Sequence, residues 1–436
     1  MMILEDYLRR HAEERPSKKA VVCGEEALTY SQLYEMAAAM AARLRLSAGK
    51  AHVFRATQDA DFLVTYFAAH LAGKVAVPLE KDTPETIFGD VRRMVEEAAV
   101  PDGVADILFT TGTTGRQKGV MISNETIVAD AENLIAAQGY ASDLTFVVSG
   151  PLNHIGSLSK LYPMIYLGGT ICITEGMKDV NALLSDIERA EGKIATFLVP
   201  ASIRILMQFA GDSLRRLARK IDFIETGAAP ISQGDMERLC VMLPYSRLYN
   251  TYASTETGII ATYDFSSGEC VAGCLGRPMR HSGIRIDDDG RIECTGKTLM
   301  MGYVGDAELT ASVLFDSAVH TADIGELDAE GRLHLSGRDG DVINVGGYKV
   351  APTEVEDVAM ACDGVADCVC VSASHPVLGT VLKLIVVPSH GSSFEKRRIA
   401  MYLKERLEAY KIPFFYEKAD SVRRTYNGKI DRKSYR

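Results

Sequence analysis

The sequence predicts an α/β protein: a large N-terminal part of layered α/β subdomains with a small β-rich subdomain, then a small α+β C-terminal unit. Three observations carry this. Amphipathic periodicity recurs at helical spacing, with Leu33, Met36, Ala37, Met40 and Leu44 on one face over 31–44, and Ile127, Ala131, Leu134 and Ile135 over 124–138. Short apolar runs separate such helices, at Leu144–Val148, Thr170–Ile173, Ile194–Val199 and Ile221–Ile224. Helices alternating with buried strands imply layers built on mainly parallel sheets. After about Gly273 the pattern shifts to short alternating strands.

Each element has its local signal. Ser31 is placed to cap the first of these helices and Asn124 the second, which Gly139 stops. Ile284-Arg285-Ile286 and Arg291-Ile292-Glu293 flank Asp287-Asp288-Asp289-Gly290, a turn inside a hairpin. A β-rich subdomain is expected over about 273–337. From 341 to 436 a helix over 353–361, strands over 366–371 and 382–388, and a helix over 394–409 make a compact α+β lid. No internal repeat or low-complexity tract interrupts the chain.

A chain of 436 residues has room for two or three domains. Its net charge of −10 argues against nucleic acid as the main partner. An acidic ligand stays open, because single loops can be positive. The nine cysteines are scattered without a C-x-x-C pair or histidines at zinc spacing. They read as reduced thiols packed like small hydrophobes, which suits a cytoplasmic protein. Charges begin at Glu5, with no apolar leader and cleavage site. The longest apolar run, Leu161–Ile173, is broken by Gly168-Gly169 and is too short to span a bilayer, so no integral membrane contact is expected.

The most informative segment is Thr110-Thr111-Gly112-Thr113-Thr114-Gly115-Arg116-Gln117-Lys118-Gly119, which follows the apolar Ile107-Leu108-Phe109. Glycines let backbone N–H groups turn toward a ligand, threonines add hydroxyl donors, and Lys118 adds positive charge. Such a loop suits phosphate oxygens. It is not a Walker A loop, which needs Ser or Thr directly after a G-K pair. Here Gln117 precedes Lys118 and Gly119 follows it. A plain turn is the competing reading.

The run T-T-G-T-T-G-x-x-K-G resembles the phosphate loop of the adenylate-forming superfamily, the AMP-dependent synthetases and ligases. Further segments match in the family's order. Tyr249–Gly258 resembles its Y-G-x-T-E segment, with Ala253 in the glycine place. The resemblance implies that Tyr252 stacks on adenine, Thr255 meets the α-phosphate and Glu256 holds Mg²⁺. Gly227-Ala228-Ala229-Pro230 looks like the G-[GA]-A-P turn along the adenine and the acyl pocket. His320-Thr321-Ala322-Asp323 is similar to the family's T-G-D, so Asp323 would take the ribose hydroxyls, with Arg338 as its partner. Residues 337–356 resemble the hinge segment, with Gly340 at the pivot that relatives fill with Asp or Lys. Arg424–Arg432 looks like the family's P-x-T-x-x-G-K tail, with Arg423 in place of proline and Lys429 as the catalytic lysine. Pro151-Leu152-Asn153-His154 resembles the P-x-x-H segment of acyl- and aryl-CoA ligases. Amino-acid-activating relatives carry Phe-Asp there, so an acid without an α-amine is expected.

The resemblance implies a domain boundary after 339, with a mobile lid over 340–436. It implies ATP-dependent activation of a carboxylic acid to an acyl-adenylate, release of pyrophosphate, and transfer to the thiol of coenzyme A. A stand-alone adenylation enzyme loading carrier-protein phosphopantetheine is the alternative, and a nucleotide-binding protein without turnover a third reading. Thr110, Thr111, Gly112, Thr113, Thr114, Gly115 and Lys118 would cradle the pyrophosphate. His154, Gly156, Ser157, Gly227 and Gly258 would line the acyl pocket, with His154 beside the reacting carboxylate. Gly346 and Gly347 would line the thiol channel after rotation. Only about thirty residues separate Val75–Leu79 from Thr110. Relatives carry more there, so the N-terminal region is expected to be trimmed.

Overall fold

The computed structural model describes residues 2–111, 117–267, 269–341, 343–345, 348–376, 378–425 and 429–435. Helix Tyr30–Leu44 is capped by Thr29 rather than Ser31. Thr29 and Gln32 stand three apart and form a reciprocal capping box: Gln32 N–H donates to Thr29 Oγ1 at 3.2 Å, and Thr29 N–H to Gln32 Oε1 at 2.9 Å. Ser31 instead donates along the helix to Glu35. Helix Asn124–Gln138 takes Ser123 as its cap, one residue before the expected Asn124, because the Ser123 hydroxyl accepts Thr126 N–H. Gly139 ends it in the left-handed region, at φ 66°.

The apolar runs are strands. Thr145–Val148, Thr170–Ile173, Ile194–Phe197, Ile221–Gly227 and Arg247–Ser254 lie parallel within a 14-stranded sheet. The register sets Glu225 beside Phe197 on one side and Tyr249 on the other, and Gly227 beside Thr251. Parallel strands end at one edge, where α/β sheets place their ligands. A second sheet of five strands holds Val104–Thr111 and Gln117–Ser123 as an antiparallel hairpin.

The expected β-rich region is antiparallel and contains the hairpin Ser282–Ile286 with Arg291–Gly296. It is continuous with the large sheet, since Cys274–Pro278 pairs with Gly258–Asp264 on one side and Leu333–Arg338 on the other. The C-terminal residues build a three-stranded sheet from Val365–His375, Gly379–Pro388 and Phe415–Lys418, with helices Pro352–Met360 and Lys396–Lys404. The last helix stops five residues short of the expected 409. Val355, Cys370, Leu384 and Leu403 form part of an apolar cluster of its own.

Beneath the five-stranded sheet lies a buried ionic cluster. His70 pairs with Glu5 on one side and, through Nε2, with Asp106 Oδ1 at 2.8 Å on the other. Tyr66 also donates to Asp106, at 2.8 Å. Burial opposes the imidazolium, but Glu5 and Asp106 outweigh it and raise His70 from 6.5 to about 10. Asp106 lies on the strand that leads to Thr110, so the cluster anchors that strand to helices Leu4–Glu14 and Ala60–Leu71.

His70→Gln leaves two buried carboxylates short of their cation and is expected to cost about 3–5 kcal/mol near neutral pH, read by urea unfolding. Because the folded pKa is raised, His70's contribution is complete below 6.5 and fades as pH climbs through about 10. The gap between wild type and variant should narrow across that window. A constant gap would contradict a charged His70.

Candidate active site

Two clusters face each other near the carboxyl edge of the large sheet. The first is built on the hairpin. Thr110 stands opposite Lys118, and Thr111 opposite Gln117. Gly112, Thr113, Thr114 and Gly115 lie outside the described residues, and only the backbone of Thr111 is described. Gly119 keeps the hairpin close to its neighbour: a Cβ there would sit 2.5 Å from Val304 Cγ1. That approach brings Tyr303 to the loop. Its ring centroid is 5.4 Å from Lys118 Nζ, and its hydroxyl donates to Glu256 Oε1 at 3.0 Å. Burial and the Glu256 charge push the Tyr303 hydroxyl up, so it stays a donor. Thr255 and Glu256 sit at the tip of a turn closed by Ser254 and Thr257, whose N–H donates to Ser254 Oγ at 3.1 Å.

The second cluster centres on Asp323. Tyr252 donates to its Oδ2 at 2.8 Å, and Arg338 Nε to its Oδ1 at 2.6 Å. Asp323 and Arg338 are direct partners across two antiparallel strands, which explains their approach. Tyr252 is only 6% exposed, so the margin of its ring is what remains for stacking.

Lys429 joins the two clusters. Its side chain is open to the cleft but has protein around most of it. Burial and the Arg338 charge lower its ammonium pKa, while Asp323 and Glu256 pull the other way. The tail lysine thus lies within electrostatic reach of residues more than 90 positions earlier in the chain. Gly340 lies between two anchors. Asp339 is held by Arg291 at 2.9 Å and by its N–H on Ala322 O at 2.7 Å. Asp341 is 3.6 Å from Arg432, which pairs in turn with Glu356. Gly346 and Gly347 lie outside the described residues.

Two of the glycines expected at the acyl pocket lie against one aromatic ring. A Cβ on Gly156 would stand 3.4 Å from Phe197 Cε1, and one on Gly227 3.6 Å from Phe197 Cε2. Phe197 therefore lies between them, a residue the sequence offered only as part of an apolar run. His154 is half-buried, with Nε2 3.6 Å from Glu80 Oε2, which also accepts from Asn153 Nδ2 at 3.0 Å. Ser157 is buried against Gly150. Gly258 faces Thr298 and Asp130, where a Cβ would lie 2.5 Å from Thr298 O. Ala228 adopts φ 64°, a left-handed backbone that an alanine rarely takes, and Ala229 is half-buried beside it. Glu80, Tyr303 and the buried pair Lys160–Glu225 went unread in the sequence. A glutamate inside the apolar strand Ile221–Gly227 was the one available signal.

Two family models cover most of the chain: AMP-binding enzyme at residues 8–91 and 80–304, and the AMP-binding enzyme C-terminal domain at 354–429. A feruloyl-CoA synthase from Amycolatopsis sp is 28% identical, over 97% of this chain and 96% of that protein. A 2-succinylbenzoate–CoA ligase from Staphylococcus aureus (strain MRSA252) is 30% identical, over 82% of this chain and 70% of its own length. The ATP-bound structure of MatB from Rhodopseudomonas palustris shares the fold, with a TM-score of 0.87 at 21% identity over 100% of this chain and 99% of that one. The chain belongs to the AMP-binding enzyme family, the adenylate-forming enzymes. It is an AMP-forming ligase of the acyl-CoA synthetase type: it activates a carboxylic acid with ATP and passes the acyl group to the thiol of coenzyme A. Among the described residues, no helix is long and apolar enough to cross a membrane.

The left-handed backbone at Ala228 costs roughly 1–2 kcal/mol for a residue with a Cβ. Replacing it by glycine gives back about 0.4–1 kcal/mol through the freer unfolded chain. Ala228→Gly should raise stability by up to about 1 kcal/mol, and Ala228→Val should lower it, both read by thermal unfolding. A destabilised glycine variant would place the strain elsewhere.

Proposed function

We propose that the two clusters and Lys429 form one adenylation site, and that the substrate is an aryl or other cyclic carboxylic acid. The observation that carries the first part is Lys429 within the field of Asp323, Arg338 and Glu256. The second rests on Phe197 as an aromatic wall between two glycines, and on relatives named for feruloyl and succinylbenzoyl groups. The missing α-ammonium partner at Asn153-His154 fits as well.

A carboxylate oxygen attacks the α-phosphorus of ATP, and pyrophosphate leaves toward Thr110–Gly115 and Lys118. Asp323 accepts the ribose hydroxyls, its orientation fixed by Tyr252 and Arg338. Tyr252 offers adenine the exposed margin of its ring, while Gly227, Ala228 and Ala229 run alongside it. Thr255 reaches the α-phosphate from the tip of its turn. Glu256 would hold Mg²⁺, and the fit is chemical: a hard carboxylate, one oxygen bonded to Tyr303, suits an ion that keeps water and phosphate as its other ligands. When bound, that ion neutralises phosphate charge. Lys429 covers the reacting phosphate from the lid side. At an effective dielectric of 20, two charges 4 Å apart interact by about 4 kcal/mol. His154 orients the substrate carboxylate at the pocket mouth.

In the second half-reaction the thiol sulfur attacks the acyl carbonyl and AMP leaves. We assign residues 1–339 to the body and 340–436 to a lid that pivots at Gly340. Support comes from the two anchors that flank Gly340, Asp339 paired on the body and Asp341 on the lid. After rotation Gly346 and Gly347 would line the thiol channel. Coenzyme A is favoured over a carrier protein because the relatives are CoA ligases. The nine cysteines stand as free thiols and suit the cytoplasm.

Lys429→Ala should slow ATP–pyrophosphate exchange by more than about 100-fold, the equivalent of about 3 kcal/mol in the barrier. Thiolysis of a supplied acyl-adenylate should persist, and equal loss of both half-reactions would contradict the role. Gly340→Pro should do the reverse: exchange is kept, while thioester formation falls at least about tenfold because the pivot torsion is locked. Unchanged thioester formation would move the pivot elsewhere.

A further inference from the structure

Beside Phe197 lies a buried ion pair. Lys160 Nζ lies 5.3 Å from the Phe197 ring centroid and pairs with Glu225 Oε1 at 2.7 Å. Both side chains are almost wholly buried, at 2% and 0% exposure. Both stand close in sequence to the two glycines. Lys160 lies four residues after Gly156, in the turn between helices Ile155–Leu158 and Leu161–Leu167. Glu225 precedes Gly227 by two strand residues on the same face, a drop of about 7 Å. Phe223, two further down, sits in the core on that same side, while Ile224 belongs to the core on the other. Both segments thus meet in one ion pair beside Phe197.

That pair is incompletely satisfied. Glu225 Oε2 is buried and has no hydrogen-bond partner among the described residues, and Lys160 shows one bond for three ammonium hydrogens. A lysine and a glutamate buried this deeply are costly unless their remaining valences are used. Asp130 stands near Lys160 and faces Gly258, and its Oδ2 is likewise buried and unpartnered. Burial pushes its carboxyl up to about 7, so this cluster already resists a further negative charge.

We propose that Lys160 and Glu225 are specificity residues that hold a neutral hydroxyl on the far end of an aromatic acyl substrate. This rests on the aryl-acid ligase reading above. A hydroxyl accepts from Lys160 and donates to Glu225 Oε2 at once, which no simple charged group does. A distal carboxylate would meet Glu225 and Asp130, and a distal ammonium would meet Lys160. A bare ring would leave the buried glutamate oxygen unpaired.

The test uses the full-length enzyme in ATP–pyrophosphate exchange and in thioester formation with coenzyme A. Matched acids are benzoate with 4-hydroxybenzoate, cinnamate with 4-hydroxycinnamate, and terephthalate as the distal carboxylate. In at least one pair the hydroxylated acid should win by about 100-fold in kcat/KM, since a site built around a hydroxyl rejects the analogue without it. Equal turnover within both pairs, or terephthalate as the best acid, overturns the assignment and leaves the ligase reading intact. No exchange with any acid sinks both. Glu225→Gln and the paired change Lys160→Met with Glu225→Gln should then reduce the hydroxyl preference to below about tenfold. A preference retained in a folded variant overturns the role of these residues. The wild-type ratios decide the matter even if the variants fail to fold.

Discussion

Asp323 is the point on which the nucleotide end of the site turns. Its two oxygens are taken by groups from different parts of the chain, Tyr252 on a strand of the large sheet and Arg338 on the antiparallel neighbour of Asp323's own strand. A carboxylate bonded on both oxygens has little rotational freedom, and buried pairing strengthens both bonds. From that fixed point Arg338 and Lys429 share one electrostatic neighbourhood. In the proposed site, moving Asp323 would misplace the ribose contact and disturb the charge that Lys429 meets.

The phosphate end is organised by Tyr303. A single phenol hydrogen-bonds Glu256 while its ring lies beside Lys118. In the proposed site the cation is left to phosphate oxygens and the carboxylate to a metal. The acyl side solves a different problem. Glycines at 156 and 227 clear room against Phe197, and in the proposed reading the Lys160–Glu225 pair selects what fills it.

Much of the fold was legible in the sequence because the physical signals were local. The parallel strands announced themselves as short apolar runs, and the turn 287–290 as a cluster of aspartates before glycine. The caps of helices Tyr30–Leu44 and Asn124–Gln138 were read two residues and one residue late. At both, a hydroxyl or reciprocal Thr–Gln pairing fixed the cap, and that depends on backbone geometry. The β-rich region was foreseen as a subdomain. Its continuity with the large sheet was not, since strand pairing between distant segments leaves no mark in either one.

The sequence by itself determined the reaction class: glycines, threonines and lysines at fixed spacing carry their chemistry wherever the chain takes them. Only tertiary structure decided who stands beside whom. Lys160 and Glu225 look unremarkable 65 positions apart, yet the turn before helix Leu161–Leu167 and the strand Ile221–Gly227 bring them together beside Phe197. Tyr303 and Glu80 reach the site only because two sheets converge there. Contacts between distant segments depend on sheet order and register, and the sum of local preferences does not encode these at any single residue.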